Sequence, residues 1–445
     1  SDLRRQRQMC IRDRTNATEI SRELNGDLDR RSFLRKSLAA SGAVAAASAG
    51  ATQALAEVNP ANLPPNKPIW SQMLGPGVTQ SPYGSPSPHE AHVVRRNVGW
   101  LTSSTQSSIN FTPLQDLHGI ITPNGLHFER HHGGVPSINP NEHRLIIHGM
   151  VKYPLMFTME DLMRFPSESH IHFIKCPANG GMEWKGAQME SVQFTHGMVS
   201  CCEWTGVKVS TLLDEVGVDP KGTWVLAEGA DGGAMDRSIP MEKMMDDAMI
   251  CWAQNGERLR PEQGYPIRLL VPGFEGNMNI KWIRRLKVGT APWMTREETS
   301  KYTDLMDDGT ARQFTFVQET NSCITYPSAG QQMSHKGFHE ITGLAWSGRG
   351  RIKQVDVSVD GGRNWKTAKL QEPVMSKCLT RFRIPWQWNG EKAQLQSRAI
   401  DETGYVQPTL AQLRKVRGVN SIYHKNSIYT WEIDTNGGIK NVQLG

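Results

Sequence analysis

Short apolar runs alternate with amphipathic stretches along much of the chain. The apolar runs predict strands, because they are brief and rich in Ile, Leu, Val and Phe; they cover residues 144–148, 171–174 and 266–271. Segments with helical spacing lie between them, at residues 158–165 and 210–217. Thr158 and Asp161 give the first a capping box, and Gly217 closes the second. Strands mixed with helices predict an α+β domain.

After about residue 310, helical spacing almost disappears and hairpin signals replace it. Residues 352–359 alternate between apolar and polar side chains, a Gly-rich turn follows, and residues 365–370 are predicted to form the returning strand of a hairpin. A further run at residues 394–400 also ends in a turn. These features predict an all-β sandwich of the immunoglobulin-like kind. We expect its tryptophans to be packing residues; they are Trp346, Trp365, Trp386 and Trp388.

The first 56 residues have the pattern of an export signal. Arg30 and Arg31 precede a weakly apolar run rich in Ala, Ser and Gly at residues 37–54, and an Ala-x-Ala site ends at Ala56. A twin-arginine leader exports proteins that are already folded, which matters when a cofactor is inserted in the cytoplasm. We therefore expect a periplasmic protein with a cofactor. A lipid-anchor or ordinary secretion signal is the alternative.

The predicted organisation has four parts. Residues 1–56 form the leader, within which residues 1–14 are expected to be a spurious extension, and residues 57–100 form an extended N-terminal arm. Residues 101–309 form the catalytic α+β domain, and residues 310–445 form the sandwich. Roughly 390 residues after the leader exceed what one hydrophobic core usually serves.

Composition argues against several classes of protein. The leader holds ten Lys/Arg and six Asp/Glu, so the net charge falls from +6 to +2 without it. The remaining basic residues are scattered, which argues against nucleic-acid binding. No later apolar run approaches the roughly 18 residues of a membrane span. Six later cysteines are too few for a disulfide scaffold, and no Cys-x-x-Cys-His haem attachment is present.

Candidate chemistry gathers in the first domain. A predicted strand ends at Cys176, and a loop of Pro, Ala, Asn and Gly follows, where backbone N–H groups can surround the sulfur. We expect the pKa of this thiol to be lowered, as a metal-binding thiolate requires. A small buried hydrophobic cysteine is the alternative.

Basic and histidine-rich clusters support a ligand site. Arg130, His131 and His132 precede a Gly-Gly turn, and further cations stand at Arg268 and Lys281 beside other glycines. Arg and Lys next to Gly-rich turns suit an anionic, phosphate-bearing ligand.

The order of these clusters resembles the sulfite oxidase family of molybdenum enzymes, over nearly all of the chain after the leader. The similar phrases are Cys176-Pro177-Ala178-Asn179, Gly181-Met182-Glu183-Trp184, Thr195-His196-Gly197-Met198 and Cys201-Cys202-Glu203-Trp204-Thr205-Gly206-Val207. The resemblance implies an α+β molybdopterin-binding domain followed by an immunoglobulin-like dimerisation domain. Within the family, the phrases are most similar to members that oxidise sulfane sulfur.

The resemblance also implies the site. Cys176 would be the thiolate ligand of a molybdenum that carries one pyranopterin, and this chain would hold no haem. Arg130 would stabilise an oxyanionic sulfur product as well as bind cofactor. The cofactor-binding positions implied are Phe128, Glu129, Arg130, His131, His132, Asp231, Gln263, Arg268, Asn279, Ile280 and Lys281.

The chain departs from the sulfite-oxidising members at two positions. Trp252 stands where many members have a tyrosine near the metal, and Gln263 stands where they often have a pterin-contacting histidine. Tryptophan donates one N–H and is neither acid nor base. Trp252, a third expected catalytic residue, therefore weakens the case for sulfite and favours a larger, protein-borne sulfur.

The activity implied is a sulfane-dehydrogenase activity: oxygen-atom transfer from water to a persulfide on a sulfur carrier protein. Electrons would leave to a dihaem c-type cytochrome subunit, and two copies of this chain would dimerise within a heterotetramer. A sulfite dehydrogenase is the alternative within the family. A family methionine sulfoxide reductase would run the transfer backwards, but such members usually lack the sandwich.

Alternatives from other classes remain at this point. An exported zinc- or copper-binding protein would draw its ligands from His127, His131, His132, His170, His172 and Cys176. An immunoglobulin-like binding module would explain only the last third of the chain.

Overall fold

The computed structural model describes residues 84–99 and 107–444, with five isolated positions between residues 68 and 77. The predicted leader, and the predicted arm up to residue 83 apart from those positions, lie outside the described residues. The chain from Pro86 to Gly445 forms one compact unit. The predicted domain boundary near residue 310 stays a prediction.

The first half of this unit contains thirteen strands and five helices among its described residues. The strands are β1 (Arg96–Asn97), β2 (Ser108–Phe111), β3 (Arg130–His131), β4 (Leu145–Gly149), β5 (Leu155–Phe157), β6 (Glu168–Lys175), β7 (Val199–Lys208), β8 (Trp224–Gly229), β9 (Asp236–Pro240), β10 (Met249–Gln254), β11 (Glu257–Arg258), β12 (Arg268–Leu270) and β13 (Ile283–Gly289). The helices are α1 (Met159–Met163), α2 (Val192–His196), α3 (Val209–Val216), α4 (Met241–Asp246) and α5 (Arg296–Thr299).

Two five-stranded sheets organise this half. One has the order β11-β10-β7-β6, with β12 also paired to β10, and the other has the order β5-β4-β13-β8-β9. The pair β4–β13 is parallel, and the other pairs in these two sheets are antiparallel. The predicted strands and both predicted helices are confirmed. Thr158 and Asp161 form the capping box, and Gly217 ends α3 with a left-handed φ of 65°.

The second half is a two-sheet β structure. Its strands and its helix are β14 (Asp304–Leu305), β15 (Ala311–Arg312), β16 (Asn321–Tyr326), β17 (Gly337–Trp346), β18 (Ile352–Ser358), β19 (Lys366–Thr367), β20 (Lys369–Leu370), β21 (Thr380–Trp388), β22 (Ala393–Asp401), α6 (Leu410–Arg417), β23 (Thr430–Ile433) and β24 (Ile439–Val442). The sheets have the orders β16-β17-β21-β20 and β19-β18-β22-β23-β24, with β14 and β15 paired separately. The sandwich prediction is confirmed.

Two local predictions differ from the structure. The expected single return strand at residues 365–370 is divided at Ala368, because β19 pairs with β18 while β20 pairs with β21 of the other sheet. The helix α6 was not predicted. It has its own capping box, from Thr409 and Gln412, but its buried residues are two leucines and a charged Arg417, so its sequence shows only a weak apolar face.

One of the hydrophobic clusters contains residues of both halves. Core residues of the sandwich, including Trp346 and Phe382, belong to the same cluster as Phe173 and Val199 of the first half. The guanidinium of Arg381 donates to the carbonyls of Leu117 and Gly119 across this seam, at 2.9 and 2.8 Å. The sandwich therefore supports the strands β6 and β7, and does not merely follow them in sequence.

We expect Phe382→Ala to lower the free energy of unfolding by about 3–5 kcal/mol, because the ring is fully buried in the shared core. Phe338→Ala is the matched control. Phe338 lies on the neighbouring strand but is 64% exposed, so its loss should cost less than about 0.5 kcal/mol. Equal effects in urea denaturation of the two variants would contradict this assignment of the core.

Candidate functional site

A cleft opens where β3, β6 and β12 meet the segment that precedes β13. It brings together most of the residues expected from sequence, namely Phe128, Arg130, His131, His132, Cys176, Asp231, Gln263, Arg268, Asn279, Ile280 and Lys281. It also contains residues that the sequence did not single out, among them Tyr302, Asn277 and Trp282. The candidate site is therefore assembled from distant parts of the first half.

Cys176 lies at the end of β6 and is fixed by its backbone. Its N–H donates to the carbonyl of Met198 at 3.0 Å, and its own carbonyl accepts from the N–H of Asn179 at 3.0 Å. The Asn179 side chain then bonds to the carbonyl of His196 and the N–H of Met198. Only glycine fits at position 276, because a Cβ there would lie 2.8 Å from the Lys175 carbonyl oxygen. The loop holds the sulfur in one place.

The expected lowering of the Cys176 pKa is wrong for the protein by itself. Burial raises the pKa of this thiol, and the Ala178 N–H, Arg130 and Lys175 oppose that effect only in part. Backbone donors and nearby cations are present as expected, but desolvation outweighs them. A metal cation bound at this sulfur would stabilise the thiolate, and binding would release the thiol proton.

Arg268 is a buried cation at the base of the cleft. It donates from Nη1 to the carbonyl of Gln263 at 3.0 Å and from Nη2 to the carbonyl of Asn279 at 3.1 Å, and it lies over the Trp204 ring at 4.9 Å. Burial lowers its pKa to about 10. Its Nε has no partner among the described residues. Arg268 thus retains a donor for an anionic ligand.

Lys281 is a second cation held by carbonyls. Its ammonium donates to the carbonyls of Arg130 and Glu262, at 3.1 and 3.0 Å, and lies 4.5 Å from the Trp282 ring. Burial lowers its pKa to about 7, and Arg268 adds to this effect. A phosphate in the cleft would favour the charged amine and raise that pKa again.

Arg130, His132 and Tyr302 form a polar wall. Arg130 is anchored by donating to the His131 carbonyl at 2.8 Å, and the His132 ring lies 3.2 Å from the Tyr302 hydroxyl. Burial, then Arg130, lowers the pKa of His132 to about 3, while burial raises the pKa of Tyr302. Both are therefore neutral near pH 7. Tyr302 has a φ of 55°, which is unusual for a bulky residue.

Two expected site residues do not reach the cleft. The Glu129 carboxylate pairs with Arg95 and does not line the cleft. Trp252 lies at an irregularity of β10, between Cys251 and Ala253, and is buried in the hydrophobic core behind β10. The tyrosine in the cleft is Tyr302 instead, so the replacement at Trp252 no longer argues against sulfite. Tyr302 was missed because no motif surrounds it.

Other expected residues shape the cleft through the backbone. Gln263 donates from its amide to the Phe128 carbonyl at 3.1 Å, and Asn279 bonds to the N–H of Val271 and the carbonyl of Glu275. Asp231 accepts from the N–H of Met235 at 3.0 Å. The side chains of Gln263, Asn279 and Asp231 thus fix loops as well as lining the surface.

The cleft fits a large anionic cofactor better than a small closed metal site. Two buried polar atoms have no hydrogen-bond partner among the described residues: Nε of Arg268, which is a donor, and Nε2 of His127, which is an acceptor because Nδ1 of this neutral ring donates to the Phe128 carbonyl. No group of three or more His, Cys, Asp or Glu in the described part of the chain is arranged to hold a metal ion. The described residues thus do not support the zinc or copper alternative.

The comparisons with known proteins define the class. Residues 132–297 match the oxidoreductase molybdopterin binding domain, and residues 312–431 match the Mo-co oxidoreductase dimerisation domain. Both matches fall within the two predicted domains. With the cationic cleft, they define a molybdopterin-dependent oxidoreductase, whose cofactor is molybdenum bound to molybdopterin.

Similarity to individual proteins identifies the family within this class. The chain is 31% identical to mitochondrial sulfite oxidase of Rattus norvegicus, over 72% of this chain and 64% of that protein. It is 29% identical to nitrate reductase [NADH] of Solanum lycopersicum, over 76% of this chain and 42% of that protein. The solved structure of the sulfane dehydrogenase SoxCD from Paracoccus pantotrophus matches with a TM-score of 0.84 and 52% identity, over 85% of this chain and 98% of that one. The chain belongs to the sulfite oxidase family of molybdenum enzymes.

The chain spans less than two thirds of the length of the mitochondrial sulfite oxidases and under half of the plant nitrate reductases. Among the described residues, no helix is long and apolar enough to cross a membrane.

We expect Lys281→Met to reduce the cofactor content of the purified protein at least about tenfold, because it removes a cation held for the phosphate. The control is Lys287→Met, a cation on β13 that lies over the Trp293 ring and outside the cleft. Molybdenum analysis and fluorescence of the released pterin measure the content. Normal loading of the Lys281 variant would exclude Lys281 as a phosphate ligand.

Proposed function

We propose that this protein is the molybdenum subunit of a periplasmic sulfane dehydrogenase. The observation that carries the proposal is the 52% identity to a chain of the sulfane dehydrogenase SoxCD over 98% of that chain, with a TM-score of 0.84. Relatives that oxidise sulfite or reduce nitrate are about 30% identical. The substrate is a persulfide on a carrier protein, which is oxidised stepwise toward the sulfonate level.

In the proposed site, Cys176 would be the protein ligand of the molybdenum. Arg268 and Lys281 would bind the phosphate of the cofactor, and His127, Phe128 and Gln263, which line the same cleft, would contact the rest of it. When bound, the molybdenum supplies two-electron oxidation coupled to transfer of a water-derived oxygen to sulfur. The rigid loop after β6 fixes the sulfur of Cys176, so the reacting centre does not have to be repositioned between turnovers.

The polar wall positions the substrate sulfur and its product. Arg130 is a fixed positive charge where an oxyanionic sulfur group develops, and it needs no proton transfer to act. Tyr302 donates a neutral O–H, because burial raises its pKa. His132 shares a hydrogen bond with Tyr302 and is uncharged near pH 7, so it orients the hydroxyl instead of adding charge.

A sulfite dehydrogenase is the second candidate, and Tyr302 is the observation that favours it. The sequence suggested that tryptophan replaces the tyrosine near the metal, yet Tyr302 lines the cleft beside Arg130 and Cys176. A cation and a phenol side by side are suited to a small oxyanion such as sulfite. Substrate choice is therefore the property to measure first.

The proposed assembly follows from the same resemblance. Electrons leave to a SoxD-like dihaem c-type cytochrome subunit, and a SoxYZ-like sulfur carrier protein presents the persulfide on its cysteine arm. The match at residues 312–431 supports a homodimer of this chain within a heterotetramer. The Arg30-Arg31 leader supports export of the folded, cofactor-loaded protein by the twin-arginine pathway to the periplasm.

Cys176→Ser should abolish turnover, with a loss of at least about a thousandfold, because a hydroxyl is a poor replacement for a soft thiolate at molybdenum. Cys323→Ser is a control in which another buried thiol changes without touching the cleft. Circular dichroism and pterin content should show that the Cys176 variant is folded and retains pterin. Turnover near the normal rate would remove Cys176 as ligand.

The purified complex with its cytochrome should reduce that cytochrome with a persulfide-loaded carrier at least about tenfold faster than with free sulfite. Stopped-flow absorbance of the haem follows both reactions under the same conditions, and an unloaded carrier is the control. Faster reduction by sulfite would replace the sulfane proposal with the sulfite dehydrogenase. Absence of molybdenum from active protein would exclude both.

A further inference from the structure

Two cysteines lie where the first half packs against the sandwich. Cys201 lies on β7 and is fully buried, and Cys378 precedes β21 and is 2% exposed. Both thiols lie in the core cluster that the two halves share, and the neighbouring Cys378 thiol adds to the effect of burial in raising the pKa of Cys201. They are 177 positions apart in the sequence and come from different predicted domains.

The surrounding backbone brings the two cysteines together. Phe173 is opposite Cys201 in the β6–β7 pair, and its N–H donates to the carbonyl of Lys377, the residue before Cys378, at 3.1 Å. The thiol of Cys378 donates to the carbonyl of Ile171 on β6 at 2.6 Å. The strands β6 and β7 and the loop before β21 therefore converge on the pair.

Other described cysteines lack this arrangement. The sulfur of Cys202 accepts from the amide of Gln254 at 3.1 Å and donates to the Thr122 carbonyl. Cys251 is opposite Arg268 in the β10–β12 pair, and Cys176 lines the cleft. The contact between Cys201 and Cys378 thus sets these two apart from the cysteines of the cofactor region.

We propose that Cys201 and Cys378 are the site of a disulfide that joins the cofactor-binding half to the sandwich after the chain has folded. An S–S bond forms and both S–H bonds break, so the pair loses two electrons and two protons. The oxidant is a disulfide-bearing thiol–disulfide exchange partner, which is reduced to two thiols. The proposed periplasmic location would supply such an oxidant.

The reaction is slow in the folded protein. Exchange begins with a thiolate, and burial raises the pKa of Cys201 well above its usual value, so few molecules react at neutral pH. Formation therefore needs transient opening of the seam. Once formed, the bond ties β7 to the sandwich, and β7 is paired along its length with β6, which ends at Cys176. The disulfide should thus slow loss of the cofactor.

The test uses purified, cofactor-loaded full-length protein incubated with oxidised glutathione at about pH 8.5. It is then unfolded in an alkylating agent and analysed by peptide mass spectrometry. We expect a linked Cys201–Cys378 peptide, with Cys176, Cys202, Cys251 and Cys323 alkylated. Prior reduction should convert the linked peptide to two alkylated ones. Alkylation of both Cys201 and Cys378 after oxidation, or glutathione adducts without the link, would overturn the proposal.

Matched variants separate the link from general effects of losing a buried thiol. Cys378→Ser should abolish the linked peptide, and Cys323→Ser, also buried, should retain it. In the oxidised parent and in Cys323→Ser, a reductant should lower the melting temperature by about 5 °C, whereas Cys378→Ser should show no such shift. A shift of equal size in Cys378→Ser would also count against the proposal. The test supplies its own oxidant and measures no turnover, so failure of the proposed location or activity leaves its outcome unaffected.

Discussion

The site depends on positive charge that is buried before any ligand arrives. Arg268 and Lys281 are desolvated, and their hydrogen bonds in the described structure go to backbone carbonyls, not carboxylates. Burying unpaired cations costs several kcal/mol, which an incoming phosphate offsets. The carbonyls that hold the cations belong to loops fixed by Gln263 and Asn279. The loops around the cleft thus hold both cations where they line it.

The Cys176 end of the cleft is organised by a different force, apolar packing. Cys176 ends a strand whose last residues are buried and whose partner, β7, is buried along most of its length. The sandwich core packs against this pair through Phe173 and Val199. The sulfur is therefore positioned by residues of the second half that never touch the cofactor. Backbone carbonyls of the loops hold the cations, and the shared core fixes the position of Cys176.

The sequence predicted those features that depend on local pattern. The strand leading to Cys176, the capped helix at Thr158 and the Gly217 stop follow from periodicity and turn chemistry, and the structure shows all three. It failed where tertiary context decides. Burial, absent from any motif, reverses the direction of the Cys176 pKa shift, and an irregularity in β10 directs Trp252 into the core. Tyr302 enters the cleft from the far end of the domain, with no neighbouring residue to signal it.

The carbonyl contacts of Arg381 have a consequence for the order of events during synthesis. Its guanidinium satisfies carbonyls at Leu117 and Gly119, and the Lys377 carbonyl accepts from Phe173 within β6. The first half therefore lacks part of its own interior until residues beyond 380 have left the ribosome. A chain that ends near residue 310 would lack all of these contacts, so β6, which leads to Cys176, would be held less firmly.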